Sequence, residues 1–357
     1  MFTKKQVDEI RGMLESSQNP LFFFDNDVDG LCSFLVLSRF IDRGKGVAVK
    51  SFPNLDETYF RKVVELKPDT IFILDKPKVS TAFFDKVRPL NIPIVWIDHH
   101  LTEEEIPDYV HYFNPLLNKQ PSSEPVTRLC YQVTQRKEDL WIAMVGCIGD
   151  SHFPDFYPQF MKMYPELGIQ STSPFEIVYR SDIGKIVKLL AFALKDTTSN
   201  VIKMLKFLRK VNSPQDLLQV NTQTFSIHKR FEQINNKYHM LLSKAIEVGT
   251  NSKELLFFQY GGDLSLSADL SNELCYKFPD KIIVIAYMKH IHANVSLRGK
   301  NVRELTLKAI ESFEQATGGG HQDATGAKIL IEDLQQFRQN LMQLIQERDE
   351  EKLAEKN

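Results

Sequence analysis

Short, continuously apolar runs alternate with amphipathic segments in the first half of this chain, and this order constrains the fold most. The runs predict strands at residues 21–25, 46–50, 70–75 and 92–98. Strands that are apolar at every position are typical of a parallel sheet covered on both faces. Helices are predicted between and after them, at residues 31–42, 57–66, 81–87, 125–135 and 138–149. This βαβα order predicts an α/β domain with a parallel sheet.

A helical region and a second α/β unit are predicted for the rest of the chain. Residues 174–246 contain helical spacing without a convincing strand, which indicates a helical connector. Strands then follow at 254–259, 281–287 and 291–296, with helices at 267–276 and 302–317, the strand-forming segment GGGHQDATGAKI, and a charged terminal helix. The predicted domains are residues 1–165, 166–248, 249–335 and 336–357, with the active site in the cleft between the two α/β domains.

The basic residues of the connector have two interpretations. They are Lys185, Lys188, Lys195, Lys203, Lys206, Arg209 and Lys210, interrupted by one acidic residue. Such a run is usually a solvated helix face, and the alternative is a surface that follows a phosphate backbone.

Composition narrows the class of protein. At 357 residues, the chain is long enough for two domains, and its formal net charge of −2 does not favour a protein covered in positive charge. The four cysteines form no CxxC pair, so reduced, buried thiols are expected rather than a zinc site or disulfides. Neither a signal peptide nor an apolar run of membrane-spanning length is present, so a cytoplasmic protein without membrane contact is expected.

Aspartates stand at the carboxyl ends of three predicted strands. Asp25, Asp75 and Asp98 end the segments LFFFD, TIFILD and IVWID. The carboxyl ends of parallel strands lie side by side at one edge of the sheet, where ligands bind. His99 and His100 follow directly, and Asp150, at the end of an apolar stretch, can reach the same edge. Taken alone, each aspartate is as well explained as a helix N-cap.

The segment DNDVDG adds Asp27 and Asp29 to this group and resembles the start of an EF-hand calcium loop. An EF-hand requires a glutamate at loop position twelve, where this chain has Val36, and a helix before the loop, where it has an apolar strand. Carboxylates together with imidazoles instead suit Mn²⁺ or Mg²⁺, and their number suits two ions.

The order of these motifs resembles that of the DHH phosphoesterases. DNDVDG matches the first motif of that family, Asp75 the second, Asp98-His99-His100 the third and Asp150 the fourth, while SLR at residues 296–298 and GGGH at residues 318–321 resemble the DHHA1 domain that accompanies it. The form of the first motif and the long connector are most similar to RecJ and to its archaeal relatives, the GINS-associated nucleases.

The resemblance implies a role for each site residue. Asp27 and Asp29 would each face one of two Mn²⁺ ions, Asp75 would bridge them, and His99 and Asp150 would complete the second ion's shell. Asp98, His100 and Asp25 would act in catalysis: Asp98 orients the histidines or the attacking water, His100 meets the substrate phosphate and Asp25 supports the loop. Arg298, Gly318, Gly319, Gly320 and His321 would bind a nucleotide phosphate from the second domain.

Two departures from the family pattern bear on function. Relatives that act on small substrates have a histidine four residues before Asp27, where this chain has Phe23. Lys76 follows Asp75 where a small or polar residue is expected, and it either competes with the metal ions electrostatically or contacts a phosphate.

The resemblance therefore implies a two-metal exonuclease on single-stranded DNA or RNA that releases mononucleotides, in DNA replication or repair. The ions expected are Mn²⁺, with Mg²⁺ as the alternative, and a partner in the GINS complex, the replicative helicase or a repair helicase is expected. Two alternatives remain at this point: a phosphodiesterase for short RNAs or dinucleotides, and a replisome scaffold with little catalysis.

Overall fold

The computed structural model describes residues 1–49, 54–102 and 105–354. Contacts divide the chain into two compact units, Met1–Glu232 and Gln233–Asn357. Among the described residues, no helix is long and apolar enough to cross a membrane.

The first unit contains seven strands in the part that the structure describes. They are β1 (Pro20–Asp25), β2 (Lys45–Val49), β3 (Asn54–Leu55), β4 (Thr70–Leu74), β5 (Lys78–Val79), β6 (Ile94–Ile97) and β7 (Val110–Phe113). Five of them form a fully parallel sheet in the order β2-β1-β4-β6-β7, and β3 pairs with β5 in a small parallel sheet. The predicted parallel sheet is confirmed.

The helices that begin in the first unit lie before, between and after these strands. They are α1 (Lys4–Ser16), α2 (Val28–Phe40), α3 (Phe60–Leu66), α4 (Thr81–Val87), α5 (Val126–Thr134), α6 (Leu140–Gly149), α7 (Tyr157–Met163), α8 (Pro174–Arg180), α9 (Asp182–Ala193), α10 (Thr198–Leu208), α11 (Gln215–Leu218) and α12 (Phe225–Asn251). Helix α12 continues past Glu232 into the second unit.

The apolar strands are explained by the two faces of the sheet. Phe22 and Phe24 of β1 point into a core that α2, α5 and α6 cover, while Leu21 and Phe23 belong to a second core on the opposite face. Alternate residues of a strand point to opposite faces, so a sheet covered on both sides needs apolar residues at every position. Helices α8–α10 add their apolar side chains to the first of these cores.

In the first unit, the sequence predictions omit α1, α7, β3 and β5, and other elements need adjustment. The sequence does not predict strand β7, because this strand is only four residues long and its central His111 and Tyr112 are polar. Helix α2 begins three residues earlier than predicted, because Asp27 caps it. Lys50, the last residue of the second predicted strand, lies outside the described residues.

The second unit is a mixed α/β structure. Its elements are β8 (Leu255–Gly261), α13 (Ser267–Lys277), β9 (Ile282–Lys289), β10 (His292–Arg298), α14 (Val302–Ile310), β11 (Thr317–His321), β12 (Ala324–Leu330) and α15 (Leu334–Ala354). The sheet order is β11-β12-β10-β9-β8, in which β8 and β9 are parallel and the other pairs antiparallel. The helix predicted at 302–317 is too long: it ends at Ile310, residues 311–316 form turns, and the glycine-rich segment forms edge strand β11.

The cysteines are as expected in the described chain. All four are free thiols, and Cys32, Cys130 and Cys147 are buried.

Candidate metal centre at the carboxyl edge of the parallel sheet

Three aspartates lie where the central strands of the parallel sheet end. Asp25 is the last residue of β1, Asp75 follows β4 and Asp98 follows β6. The hydrogen bonds between neighbouring strands extend to Asp75 and Asp98. The N–H of Asp75 donates to the carbonyl of Ile97 at 3.0 Å, and the N–H of Asp98 donates to the carbonyl of Phe113 at 3.1 Å. The strand register therefore places these residues side by side.

The turn between β1 and α2 holds two more carboxylates. Asp27 is the N-cap of α2, and its Oδ1 accepts the N–H of Gly30 at 2.9 Å. The buried Asp29 accepts the N–H groups of Val126 and Thr127 at 2.8 and 2.7 Å, so its carboxylate caps α5. These bonds fix both carboxylates at the edge of the sheet.

Gly30 is required by the close approach of α2 to β1. A Cβ atom at this position would lie 2.5 Å from the carbonyl oxygen and 2.7 Å from the nitrogen of Asp25. Real Cβ atoms do not approach backbone atoms so closely, so a side chain here would push the acidic turn away from the strand.

The two histidines surround Asp75. Nε2 of His99 lies 3.4 Å from Oδ1 of Asp75, and Nδ1 of His100 lies 3.9 Å from the same oxygen. His100 is oriented by Asp98, whose carboxylate accepts from Nδ1 at 2.8 Å and from the backbone N–H at 3.1 Å. Since a carboxylate only accepts, this contact places a proton on Nδ1 and leaves Nε2 for another partner.

Asp75 belongs to two groups of three side chains that can each hold a metal ion. In one group the ligand atoms of Asp29, Asp75 and His99 all lie within 4.8 Å of one another, and in the other those of Asp75, Asp98 and His100 do. Oδ1 of Asp75 is buried, and no described donor meets it with hydrogen-bond geometry. A buried acceptor in this state costs free energy that a cation would recover. The donor set, oxygen and imidazole, fits Mn²⁺ or Mg²⁺.

The backbone of Asp75 is also unusual. Its φ of 58° lies in the left-handed region, which residues other than glycine adopt at a cost and which asparagine and aspartate tolerate best. Strained backbone of this kind concentrates at functional sites.

The charges of this cluster shift the pKa values of its members. Burial raises the pKa of Asp29 well above its usual range, and the charges of Asp75 and Asp150 add to that shift. Burial lowers the pKa of His99, but its contact with Asp75 and the charge of Asp150 outweigh this and raise the pKa well above the usual value. The pKa of Asp27 is raised, first by the protein atoms packed around its carboxyl and then by Asp75, Asp25 and Asp29, although part of the residue is open to solvent. Carboxylates placed against one another in this way favour a bound cation.

Asp150 comes from the end of a helix rather than a strand. It is the C-cap of α6, and its Oδ2 lies 4.0 Å from Nε2 of His99. A carboxylate at a helix C-terminus is opposed by the helix dipole, so this position favours a cation nearby.

The sequence left open whether Lys76 competes with the metal ions or contacts a phosphate. Its side chain is fully buried, and its Nζ donates to Oδ1 of Asp25 at 2.9 Å. The same oxygen also accepts the N–H of Asn26 at 2.8 Å. Asp25 thus pairs with a lysine. It stands outside both groups of three, and so do Asp27 and Asp150, which the resemblance implied as metal ligands.

The residues expected to bind phosphate lie together in the second unit. His321 of β11 pairs with Ala324 of β12, which pairs with Arg298 of β10, so one register row across three strands contains both. Strand spacing puts their Cα atoms about 10 Å apart. Nε of Arg298 donates to Oδ1 of Asn272 at 2.6 Å. The three glycines form most of β11 at the edge of the sheet, and a Cβ on Gly319 would meet nothing within 4 Å.

Three residues that the sequence did not single out support the site. Asn114 is buried, and its Nδ2 donates to the carbonyl of His100 at 2.7 Å and to the hydroxyl of Tyr112 at 2.9 Å. Thr127 donates its hydroxyl to the carbonyl of Asp29 at 2.8 Å, and Asn272 holds Arg298. The dipeptide Asn114-Pro115 is a turn signal, but the contact of Asn114 with His100 has no signature in the sequence.

The chain matches two family models. Residues 21–148 match the DHH family, N-terminal domain, and residues 254–347 match the DHHA1 domain. This chain therefore belongs to the DHH/DHHA1 superfamily, whose members are generally phosphoesterases, as the order of motifs predicted.

Solved structures place it beside particular proteins of the same fold. RecJ from Thermus thermophilus in complex with Mn²⁺ superposes with a TM-score of 0.65 at 14% identity, covering 94% of this chain and 54% of that one, and the same protein is also solved with Mg²⁺. CDC45 from Entamoeba histolytica has a TM-score of 0.53 at 9% identity, with 94% and 98% of the two chains covered. The pGpG-specific phosphodiesterase PggH from Vibrio cholerae has a TM-score of 0.50 at 16% identity, with 92% and 99% covered.

These likenesses show a RecJ-like DHH fold, and this chain spans about half the length of the Thermus protein. No curated protein matches the sequence.

Proposed function

We propose that this protein is a metal-dependent exonuclease that hydrolyses phosphodiester bonds of single-stranded DNA or RNA and releases mononucleotides. The observation that carries the proposal is the pair of three-ligand groups that share Asp75 at the carboxyl edge of the parallel sheet. Mn²⁺ is the expected cofactor, with Mg²⁺ as the alternative, since oxygen and imidazole ligands suit both.

The residues of the site would have different roles in metal binding and in substrate binding. Asp29, Asp75 and His99 would hold one ion, and Asp75 and Asp98, with His100 beside them, would face a second. Divalent ions in such sites supply the positive charge that activates water and neutralises a phosphate. His100 offers its Nε2 to a substrate phosphate, because Asp98 engages Nδ1 and the contact of Asn114 with the His100 carbonyl fixes its backbone. The contact between Asp98 and His100 supports the orienting role that the resemblance implies for Asp98.

A long single strand as substrate is supported by the position of Phe23. In relatives that act on small substrates this position is a histidine, whereas Phe23 here is fully buried between Tyr59 and Phe83. Arg298, His321 and the edge strand with Gly318, Gly319 and Gly320 would bind a nucleotide phosphate, since glycine lets the backbone approach a phosphate closely. A role in DNA replication or repair, with a GINS-containing helicase as partner, is part of this proposal and is supported by the resemblance to the archaeal nucleases.

Degradation of end-labelled substrates tests this function. Single-stranded DNA and RNA labelled at either end, together with a dinucleotide, are incubated with Mn²⁺, Mg²⁺ or EDTA. The variant Asp75→Asn replaces the shared carboxylate with a neutral amide, and Asp85→Asn makes the same change on the exposed face of α4 as a matched control. We expect a Mn²⁺-dependent ladder from one end, lost in Asp75→Asn by a factor of about 100 or more and kept in Asp85→Asn.

Other outcomes assign the protein differently. Cleavage limited to the dinucleotide would move it to the small-substrate phosphodiesterases. No cleavage in a folded protein that still binds Mn²⁺ would contradict the nuclease and favour a scaffold for the replicative helicase.

A further inference from the structure

Both the backbone and the side chain of Lys76 are held by hydrogen bonds next to the acidic cluster. Its carbonyl accepts the indole N–H of the buried Trp96 at 3.0 Å, and its Nζ donates to Asp25 at 2.9 Å. The side chain has no exposed surface, so it does not reach out to a phosphate in solution. Of the two interpretations that the sequence allowed, the structure favours an electrostatic one.

Burial of an ammonium group is costly unless negative charge compensates it. The compensation here comes from Asp25, with the neighbouring Asp75 adding to the negative field around the same place. The positive charge of the lysine therefore offsets part of the repulsion between the buried carboxylates of the site.

The pairing also engages the carboxylate of Asp25. Two donors, Lys76 Nζ and the N–H of Asn26, meet Oδ1 of Asp25, and Asp25 is absent from both three-ligand groups. The ligand set of these two groups is Asp29, Asp75, Asp98, His99 and His100, while the carboxylate at the end of β1 is held by a cation that belongs to the protein.

We propose that Lys76 is a resident counter-ion that weakens divalent-metal binding and keeps Asp25 out of the metal's ligand set. It is a positioning residue: it acts through Asp25 and through its own charge. Since like charges repel strongly at short range in a protein interior, its removal should tighten metal binding. This inference rests on the metal centre of the proposed function.

Calorimetric titration with Mn²⁺ tests it without any measurement of activity. In Lys76→Met the dissociation constant should fall by about tenfold or more relative to the wild type, because a positive charge is lost and Asp25 is freed. Lys78→Met removes the same charge from an exposed position two residues further on and should stay within about twofold. Unchanged or weaker binding in a folded Lys76→Met protein would overturn the inference.

A second pair of variants keeps the test decisive if Lys76→Met does not fold. Asp25→Asn leaves the ammonium uncompensated and should weaken Mn²⁺ binding, whereas Asp25→Asn with Lys76→Met removes both charges. The double variant should bind Mn²⁺ about tenfold or more tightly than Asp25→Asn alone, and equal affinities would overturn the inference. If the wild type itself binds no Mn²⁺, the proposed metal centre fails, and this inference fails with it.

Discussion

At the scale of single residues, the site depends on side chains that fix the position of its functional residues through hydrogen bonds. Asn114 shows this most clearly, since its amide links the carbonyl of His100 to the hydroxyl of Tyr112 while its Oδ1 accepts the N–H of Leu116. Its contact is with the backbone of His100, so its loss should displace the imidazole and leave the aspartates of the site in place.

Asn114→Ala should therefore lower kcat by about 10- to 100-fold while changing the Mn²⁺ dissociation constant by less than about threefold. Tyr112→Phe removes one partner of the same amide and keeps the bond to His100, so it serves as the control and should retain most activity. The measurements are steady-state kinetics and calorimetric titration. An equal loss in metal affinity and kcat would show that Asn114 supports the whole site rather than His100.

At the scale of elements, the junction of β1 and α2 brings the acidic turn to the edge of the sheet. Gly30→Ala should cost about 1–3 kcal/mol of unfolding free energy, because its Cβ would overlap the backbone of Asp25, and it should weaken Mn²⁺ binding as well. Gly12→Ala makes the same change in α1, where nothing lies within 4 Å, and should stabilise by about 0.5–1 kcal/mol. Denaturant unfolding measures both, and similar effects in the two variants would refute the close-packing argument.

Edge strand β11 offers a comparable pair in the second unit. Gly319→Ala places a methyl group in open space, so the fold should be unaffected while KM for single-stranded nucleic acid rises about tenfold if a phosphate approaches there. Gly320→Ala should destabilise the unit, because its φ is 134° and its Cβ would lie 2.6 Å from the carbonyl of Ala324. Thermal melts and KM values separate the two effects, and a wild-type KM in Gly319→Ala would argue against phosphate binding at this strand.

At the scale of the whole molecule, metal binding and folding are linked. A ligand that binds only the folded chain stabilises it by about 2.7 kcal/mol at a free concentration 100 times its dissociation constant. Mn²⁺ should raise the melting temperature of the wild type, and EDTA should reverse the rise. Asp75→Asn should show little shift under the same conditions, and a shift as large as that of the wild type would place the stabilising ion elsewhere.

The sequence was most informative where one local pattern determines the outcome. Continuous apolar runs predicted four of the five strands of the parallel sheet, and the aspartates at the ends of three of them predicted the edge where Asp25, Asp75 and Asp98 lie. The contacts of Asn114 and Thr127 could not be predicted, because each joins segments that only the folded chain brings together. The role of Lys76 stayed open for the same reason: its bonds to Asp25 and, through its carbonyl, to Trp96 join segments that only the folded chain brings together.

Asp29 has a consequence for the choice of an inactive reference protein. Its carboxylate belongs to the candidate ligand set and also caps α5, so a substitution there would disturb a helix along with the chemistry. Among the described residues, the side chain of Asp75 caps no helix, and asparagine tolerates its left-handed backbone. Genetic complementation with an Asp75→Asn allele would thus separate loss of hydrolysis from loss of protein, which an Asp29 allele would confuse.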